Sequence, residues 1–330
     1  MLIWIVVFVI AMLVMVKGAD WFLAGAEKIG LAAGLSPFVV GVIIVGMGTS
    51  FPELISSIVA TLKNVPEIVV ANAVGSNISN ILLIIGISAI ISKRLTVSKN
   101  LINLDLPILA TATVLLLGAA WDRHIGFGEA LILVISYIIY LLYTVFHKDE
   151  RKIEDDYVIL PSREERRKSL NLDKKNGIER PKLQFKDFAL LIVGVAGLLL
   201  GAKYLIDAVI KLSELFNINP GIISITAVAI GTSLPELLVS VKAAFSGKSE
   251  IAVGNIFGSN AFNALVVVGV PGLIHNLPID EQTFLIGLPT MAVATLLFII
   301  SGISQKIYIW EGAMYLMLFI MFIGKLFNLL

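Results

Sequence analysis

The chain has 330 residues, of which 58% are hydrophobic and 15% are charged, and its mean hydropathy is +0.94. A soluble domain would carry about a quarter charged residues, so the composition excludes an ordinary water-soluble protein. The net charge of +1 is not gathered into a basic patch, so nucleic acid is not expected as a partner, and the absence of cysteine excludes disulfides and thiolate metal sites.

Long apolar segments fill most of the chain, and each is close to the roughly 20 residues that a helix needs to cross the hydrocarbon core. They do not alternate in polarity as the strands of a membrane β-barrel do. The pattern predicts an all-α polytopic membrane protein with ten transmembrane helices. These helices are predicted near residues 2–24, 38–62, 66–92, 101–119, 126–146, 186–210, 221–246, 250–276, 282–300 and 308–328.

The distribution of basic residues predicts the orientation, because cytoplasmic connections are enriched in Lys and Arg. The connection at 147–185 is rich in both basic and acidic residues, which is typical of a solvated loop. Its basic residues include Arg166, Arg167, Lys168, Lys174 and Lys175. We therefore expect a multi-pass protein of the cell membrane with a cytoplasmic linker at 147–185 and with both termini outside.

Two stretches of the sequence match each other at a constant offset. GTSFPELISS begins at Gly48 and GTSLPELLVS begins at Gly231, 183 residues later, and the same offset relates the GSN runs at 75–77 and 258–260. Each half has five predicted helices, so the second half enters the membrane from the opposite side. The sequence thus predicts a first five-helix repeat at 1–146, a linker at 147–185 and an inverted repeat at 186–330. Inverted repeats are typical of secondary transporters, which bind substrate near the midplane where the halves meet.

Each repeat carries a carboxylate, Glu53 or Glu236, in the middle of an apolar span. Ser50 and Ser233 stand three residues earlier, the spacing of a helix N-terminus, so the second and seventh helices are predicted to be broken inside the membrane. A cap contributes about 1 kcal/mol. An acidic side chain near the bilayer centre costs roughly 2.5–3.5 kcal/mol. Capping alone therefore does not account for these carboxylates, and we expect them to bind cations.

Oxygen atoms of neutral residues complete the predicted site. Broken helices leave carbonyl groups free near Thr49 and Thr232, and such groups are ligands for Na⁺ and Ca²⁺. The third and eighth helices, also predicted to be broken, each present a serine and an asparagine on one face, since residues four apart share a face. These residues are Ser76 and Asn80 in the third helix and Ser259 and Asn263 in the eighth. A set of oxygen ligands without thiolate or imidazole favours hard cations.

The motifs GTSFPE with GSNISN, and GTSLPE with GSNAFN, resemble the α-repeats of the sodium/calcium exchangers, within the Ca²⁺/cation antiporter superfamily. The resemblance covers nearly the whole chain. It implies that Glu53 and Glu236 are the central Ca²⁺ ligands and that the carbonyls of Thr49 and Thr232 assist them. It also implies that Ser50, Ser76, Ser233 and Ser259 line flanking Na⁺ sites and that Asn80 and Asn263 flank the middle. No resident cofactor is implied, because Ca²⁺ and Na⁺ are the transported ions.

The resemblance further implies an electrogenic Na⁺/Ca²⁺ antiporter that works by alternating access. The potassium-dependent branch and some prokaryotic members have aspartate at the position of Asn263, so the asparagine favours independence from K⁺. A proton/calcium antiporter is the alternative, although that branch usually has an acidic residue in the Gly-Asn motif. A passive channel could use the same ligands. An intramembrane enzyme is not expected, because His124, His147 and His275 have no partner at metal spacing. The sequence leaves the oligomeric state open.

Overall fold

The structure is a computed structural model that describes residues 2–35, 39–62, 64, 66–96, 105–146, 183–215, 233–327 and 329. Most of the predicted linker, the first half of the seventh helix and Thr232 lie outside the described residues. Within the described ranges, helical structure occupies a part of every one of the ten predicted positions, and four short strands join helix ends.

The first repeat begins with the longest helix of that repeat, and two π-helical turns interrupt the helices that follow. Its elements in chain order are α1 (Leu2–Ala32), a first π-helical turn (Val40–Gly46), α2 (Met47–Thr49), α3 (Phe51–Leu62), α4 (Glu67–Ile78), a second π-helical turn (Ser79–Ile85), α5 (Gly86–Ser92), β1 (Arg94–Thr96), α6 (Asp105–Ala119), β2 (His124–Ile125) and α7 (Phe127–Phe146).

The second repeat follows the same plan over its described residues. Its elements are α8 (Phe185–Leu215), α9 (Leu234–Phe245), α10 (Ser249–Phe262), a third π-helical turn (Asn263–Val267), α11 (Gly269–Gly272), β3 (Leu277–Pro278), a fourth π-helical turn (Thr283–Gly287), α12 (Leu288–Ile303), β4 (Lys306–Tyr308) and α13 (Ile309–Leu326).

Seven helical spans among the described residues are long and apolar enough to cross a membrane. They are Leu2–Ala32, Val40–Leu62, Glu67–Ser92, Phe127–Thr144, Ser249–Gly272, Thr283–Ile303 and Ile309–Leu326. A shorter apolar helix, Leu106–Ala119, stands at the fourth predicted position, and α8 stands at the sixth. Large apolar side chains such as Ile132, Ile139 and Ile300 face outward, as a lipid-facing surface requires. The chain is therefore an all-α polytopic membrane protein.

The interruptions of the helices take two forms. Ser50, between α2 and α3, has φ −89° and ψ 4°, and Ser233, immediately before α9, has φ −86° and ψ 2°. The two motif serines therefore have nearly the same backbone conformation in opposite repeats. In the third and eighth positions the α-helix gives way to the π-helical turns Ser79–Ile85 and Asn263–Val267, a form often found at functional sites. Such wide turns leave no clear sequence signal, which is why only breaks were predicted there.

Glycines allow the two repeats to approach at backbone distance. A Cβ atom on Gly194 of α8 would lie 2.3 Å from the backbone nitrogen of Phe22 in α1. A Cβ atom on Gly258 of α10 would lie 2.1 Å from the carbonyl oxygen of Val42 in the first π-helical turn. Both distances are too short for any side chain. Since both contacts join opposite repeats, the halves are interlocked.

Short strands and ion pairs join helix ends between the repeats. β1 pairs with β4 and β2 pairs with β3, both antiparallel. Lys28 of α1 bonds Asp187 of α8 at 2.8 Å. Lys242 of α9 contacts Asp20 of α1 at 2.6 Å. Strands of two or three residues have no periodic pattern, so the sequence did not predict them.

Candidate ion-binding site

Glu53 and Glu236 lie at equivalent positions in the first turns of α3 and α9. Both side chains are buried, with 0% and 1% of their surface exposed. The Ser50 hydroxyl donates a hydrogen bond to Glu236 Oε1 at 3.0 Å. Ser50 belongs to the first motif and Glu236 to the second, so this bond brings the two motifs together at one buried centre.

The helix break of the first repeat is held against the second repeat through Thr49. The Thr49 hydroxyl donates to Asn255 Oδ1 at 3.2 Å and lies 3.5 Å from the Ser259 hydroxyl. The Ser259 hydroxyl donates to the carbonyl oxygen of Gly46 at 3.2 Å. Two contacts therefore join the end of α2 to α10, and a third joins the end of the first π-helical turn to α10. Thr232, at the corresponding position of the second repeat, lies outside the described residues.

Asn80 and Asn263 lie inside the second and third π-helical turns, and both are buried. Asn80 Nδ2 donates to Asn260 Oδ1 at 3.0 Å. Since the nitrogen of this amide is bonded, its oxygen is available to a cation. The amide of Asn263 has no hydrogen-bond partner among the described residues. The two asparagines at equivalent positions therefore differ in how firmly their amides are held.

Several buried oxygen atoms of the predicted residues have no hydrogen-bond partner within the described ranges. They are Ser76 Oγ, Asn80 Oδ1, Ser233 Oγ, Glu236 Oε2 and Asn263 Oδ1. A buried polar atom without a partner costs about 1–3 kcal/mol. A bound cation would remove that cost by accepting the lone pairs of these oxygens. Carboxylate, amide and hydroxyl oxygens are the ligands that Na⁺ and Ca²⁺ prefer.

The charge of the site comes from the two motif glutamates. Across the described residues, no group of three or more His, Asp or Glu side chains could hold a metal ion. Two carboxylates about 5 Å apart would repel by roughly 3 kcal/mol at an effective dielectric constant of 20. A divalent cation or two monovalent cations between them would cancel both charges.

The sequence did not assign a site role to four residues that hold the candidate ligands in place. Asn255 Nδ2 donates to the Ser240 hydroxyl at 2.7 Å, so one amide joins Thr49 to α9. Asn77 Nδ2 donates to the carbonyl oxygen of Asn260 at 3.1 Å. A sequence signal was present, because the 183-residue offset relates Asn72 to Asn255, Ser57 to Ser240 and Asn77 to Asn260. An asparagine on a helix face, however, does not reveal which partner it binds.

Comparison with known proteins assigns the chain to a family. The family described as sodium/calcium exchanger protein matches residues 3–146 and 186–327. The chain belongs to this family. This exchanger is 34% identical over 342 aligned residues to the sodium/calcium exchanger MaX1 of Methanosarcina acetivorans, covering 97% of each chain. It is 32% identical to an uncharacterised membrane protein of Methanocaldococcus jannaschii, covering 97% of this chain and 96% of that one.

Solved structures show the same similarity. The sodium-calcium exchanger NCX_Mj, soaked with zero Na⁺ and Ca²⁺, superposes on this exchanger with a TM-score of 0.78 at 29% sequence identity. The superposition covers 98% of this chain and 99% of that one. The protein is therefore a multi-pass membrane transporter that exchanges cations for Ca²⁺.

The hydrogen bonds of Asn255 lead to a stability prediction. Asn255→Ala removes the acceptor of Thr49 and the donor to Ser240, so we expect the free energy of unfolding to fall by about 1–3 kcal/mol. Asn72→Ala is the matched control, because Asn72 Nδ2 has no partner in the described part of the chain. The free energy of unfolding of both variants is measured by titration from a mild detergent into a denaturing one, with circular dichroism as the signal. Equal losses in the two variants would contradict the role given to Asn255.

Proposed function

We propose that this exchanger moves Ca²⁺ against Na⁺ by alternating access, with both ions binding between Glu53 and Glu236. The observation that carries the proposal is the Ser50–Glu236 hydrogen bond, which joins the two motifs at a buried centre. The partnerless oxygens described above support it, because they supply neutral ligands beside two carboxylates. The relatives support it too, since MaX1 is named a sodium/calcium exchanger and is similar to this chain over nearly its whole length.

The proposed ligand roles follow the chemistry of each group. The carboxylates of Glu53 and Glu236 bind Ca²⁺ at the centre, because they offset its charge. Hydroxyl groups bind Na⁺ beside this centre, and amide oxygens flank it. The full proposed set is Glu53, Glu236, Thr49, Thr232, Ser50, Ser233, Ser76, Ser259, Asn80 and Asn263. Thr49 and Thr232 contribute through their backbone carbonyls.

Competition between the ions follows from charge balance. One Ca²⁺ neutralises two carboxylates, and two Na⁺ do the same. Either set of ions therefore cancels the net charge of the buried centre and lowers the free-energy cost of burying it. Binding of one ion then displaces the other. The neutral oxygens around the centre provide room for additional Na⁺ ions, and we propose that more sodium charge than calcium charge moves in each cycle.

The orientation and the domain division are also part of the proposal. The repeats are assigned to 1–146 and 186–330, with the linker at 147–185 in the cytoplasm and both termini outside. The basic residues of the linker support this orientation, since Lys and Arg are enriched in cytoplasmic connections. The neutral Asn263 supports independence from K⁺, because an amide carries no charge that would call for an additional monovalent cation.

Uptake of radioactive Ca²⁺ into liposomes holding the purified protein tests the counter-ion. We expect uptake with an outward Na⁺ gradient, little with a proton gradient, and none with neither, and the Na⁺-driven rate should not change when K⁺ is replaced by choline. Uptake driven by protons and not by Na⁺ would replace this proposal with proton/calcium antiport. Uptake without any counter-ion gradient would indicate a channel.

The central carboxylates are tested by Glu53→Gln and Glu236→Gln. Each variant removes one of the two charges that balance Ca²⁺, so we expect Ca²⁺ uptake to fall by at least about a hundredfold, or roughly 2.7 kcal/mol. Glu129→Gln is the matched control, because Glu129 lies at the exposed start of α7. Size-exclusion chromatography checks folding. Near-normal uptake by either buried variant would remove that glutamate from the site.

Surplus sodium charge makes the exchange sensitive to voltage. Each net charge that crosses the membrane is worth about 2.3 kcal/mol per 100 mV. Ca²⁺ uptake driven by outward Na⁺ should therefore accelerate when the vesicle interior is made positive and slow when it is made negative. Clamping the potential with an ionophore and a fixed ion gradient measures this effect. A rate that is the same at both potentials would mean electroneutral exchange.

A further inference from the structure

Asn77 of α4 and Asn260 of α10 meet across the pseudo-two-fold axis that relates the repeats. Both side chains are buried, and the 183-residue offset makes them equivalent positions. Asn77 Nδ2 donates to the Asn260 carbonyl oxygen at 3.1 Å, and Asn80 Nδ2 donates to Asn260 Oδ1 at 3.0 Å. Asn260 therefore accepts hydrogen bonds from two amides of the first repeat.

The symmetry-related hydrogen bonds are not formed. The 183-residue offset exchanges Asn77 with Asn260 and Asn80 with Asn263, so the mirror bonds would run from Asn260 Nδ2 to the Asn77 carbonyl and from Asn263 Nδ2 to Asn77 Oδ1. Asn260 Nδ2, Asn263 Nδ2 and Asn77 Oδ1 all lack a hydrogen-bond partner among the residues described. Each side-chain atom that the mirror arrangement needs is therefore present and buried, and none of the three is bonded among the described residues.

One further hydrogen bond is present in the second repeat and missing at the equivalent position of the first. Asn255 Nδ2 donates to the Ser240 hydroxyl at 2.7 Å. The equivalent atoms of the first repeat, Asn72 Nδ2 and Ser57 Oγ, have no partner over the described ranges. The asymmetry therefore extends along α4 and α10 and does not come from the rotation of one amide.

We propose that Asn77 and Asn260 are positioning residues that exchange their roles as hydrogen-bond acceptors when the exchanger changes its access. The inference rests on the alternating access proposed above. A two-fold axis in the membrane plane interchanges the two sides, so a transporter whose repeats exchange conformations opens to the opposite side. Each hydrogen bond of one state is then replaced by its mirror bond in the other. Asn260 accepts in the present state, and Asn77 accepts in the opposite one.

This exchange keeps the number of hydrogen bonds constant. A transporter needs two states that are close in free energy, because a strong preference for one would trap it. If the present bonds broke without replacement, buried amides would lose their partners and the second state would be disfavoured. The mirror bonds remove that penalty. Two equivalent asparagines therefore match the two states to each other.

The exchange also determines which candidate ligand is oriented. Asn260 binds the nitrogen of the Asn80 amide and leaves its oxygen directed away from that bond, available to an ion. In the opposite state Asn77 would hold the Asn263 amide in the same way. Each access state would thus present one oriented amide oxygen, first from Asn80 and then from Asn263.

A reciprocal pair of substitutions tests the proposal. Asn260→Asp keeps the acceptor of the present state but loses the donor that the mirror state needs. Asn77→Asp loses the donor of the present state but keeps the acceptor of the mirror state. Both introduce the same charge at equivalent positions, so each is the matched control for the other. The readout is the ratio of the apparent KM for Ca²⁺ at the two membrane faces, measured at alkaline pH in right-side-out and inside-out vesicles.

We expect the two variants to shift this ratio in opposite directions, each by about fivefold, as one hydrogen bond of about 1 kcal/mol predicts. The double variant should return the ratio towards that of the unmodified protein. Shifts in the same direction, or no shift in either single variant, would overturn the proposal. Loss of Na⁺-driven uptake by the unmodified protein would instead overturn the proposed function.

Alanine variants provide the test if the aspartates prevent folding, which size-exclusion chromatography reveals. Asn77→Ala and Asn260→Ala each remove bonds from both states. Asn77→Ala loses the acceptor that would orient Asn263, and Asn260→Ala loses the acceptor that orients Asn80. We therefore expect the apparent KM for Ca²⁺ to rise by about fivefold at one face in the first variant and at the other face in the second, the effect of one hydrogen bond. An unchanged KM at both faces would show that neither asparagine positions a ligand, and the proposal would be wrong.

Discussion

The burial of two carboxylates inside a membrane protein is the constraint on which the rest of the structure depends. Glu53 and Glu236 have essentially no exposed surface, and water cannot reach them to stabilise their charges. They therefore need polar groups around them, and the cation binding proposed above would balance their charges. The helix break at Ser50 provides polar groups, because a broken helix in the membrane leaves backbone groups unpaired, and Ser233 before α9 has nearly the same backbone conformation.

Such breaks are tolerated only where protein covers them, and the close approach of the repeats supplies that cover. Gly258 lets α10 touch the backbone of the first π-helical turn at Val42. Thr49 and Ser259 then reach across the interface to their partners. A larger side chain at Gly258 would separate α10 from the break, and the buried carbonyls beside it would lose their cover. The contact between α10 and the first π-helical turn therefore both packs the two repeats together and covers the candidate ion-binding site.

The two repeats have nearly the same motif but do not make the same hydrogen bonds. Ser240 bonds Asn255, whereas Ser57 and Asn72 lack this bond, and Asn260 rather than Asn77 is the acceptor at the axis. Similar sequences in inverted halves allow two arrangements that are related by symmetry. The alternating access proposed above needs two arrangements of similar energy, and the proposed exchange of acceptor roles between Asn77 and Asn260 would supply them.

The sequence by itself determined the class of fold and indicated the two carboxylates at the centre of the candidate site. Apolar segments of membrane length predict helices, and the repeated Ser-x-x-Glu spacing predicted the interruption at Ser50, because both signals are local. Glu53 and Glu236 were identified as candidate ligands because they lie in the middle of apolar spans, where an acidic side chain has a high free-energy cost.

Only the tertiary structure decided which residues hold those ligands. Asn77, Asn255 and Asn260 stand at repeated positions, and a repeat has no information about which of two symmetric bonds forms. Nor does glycine content show that Gly194 contacts Phe22, because that contact joins segments distant in the chain. Local sequence patterns reveal the helices and the charged residues whose burial in the membrane costs free energy. The hydrogen-bond partners across an interface depend on how the helices pack in three dimensions.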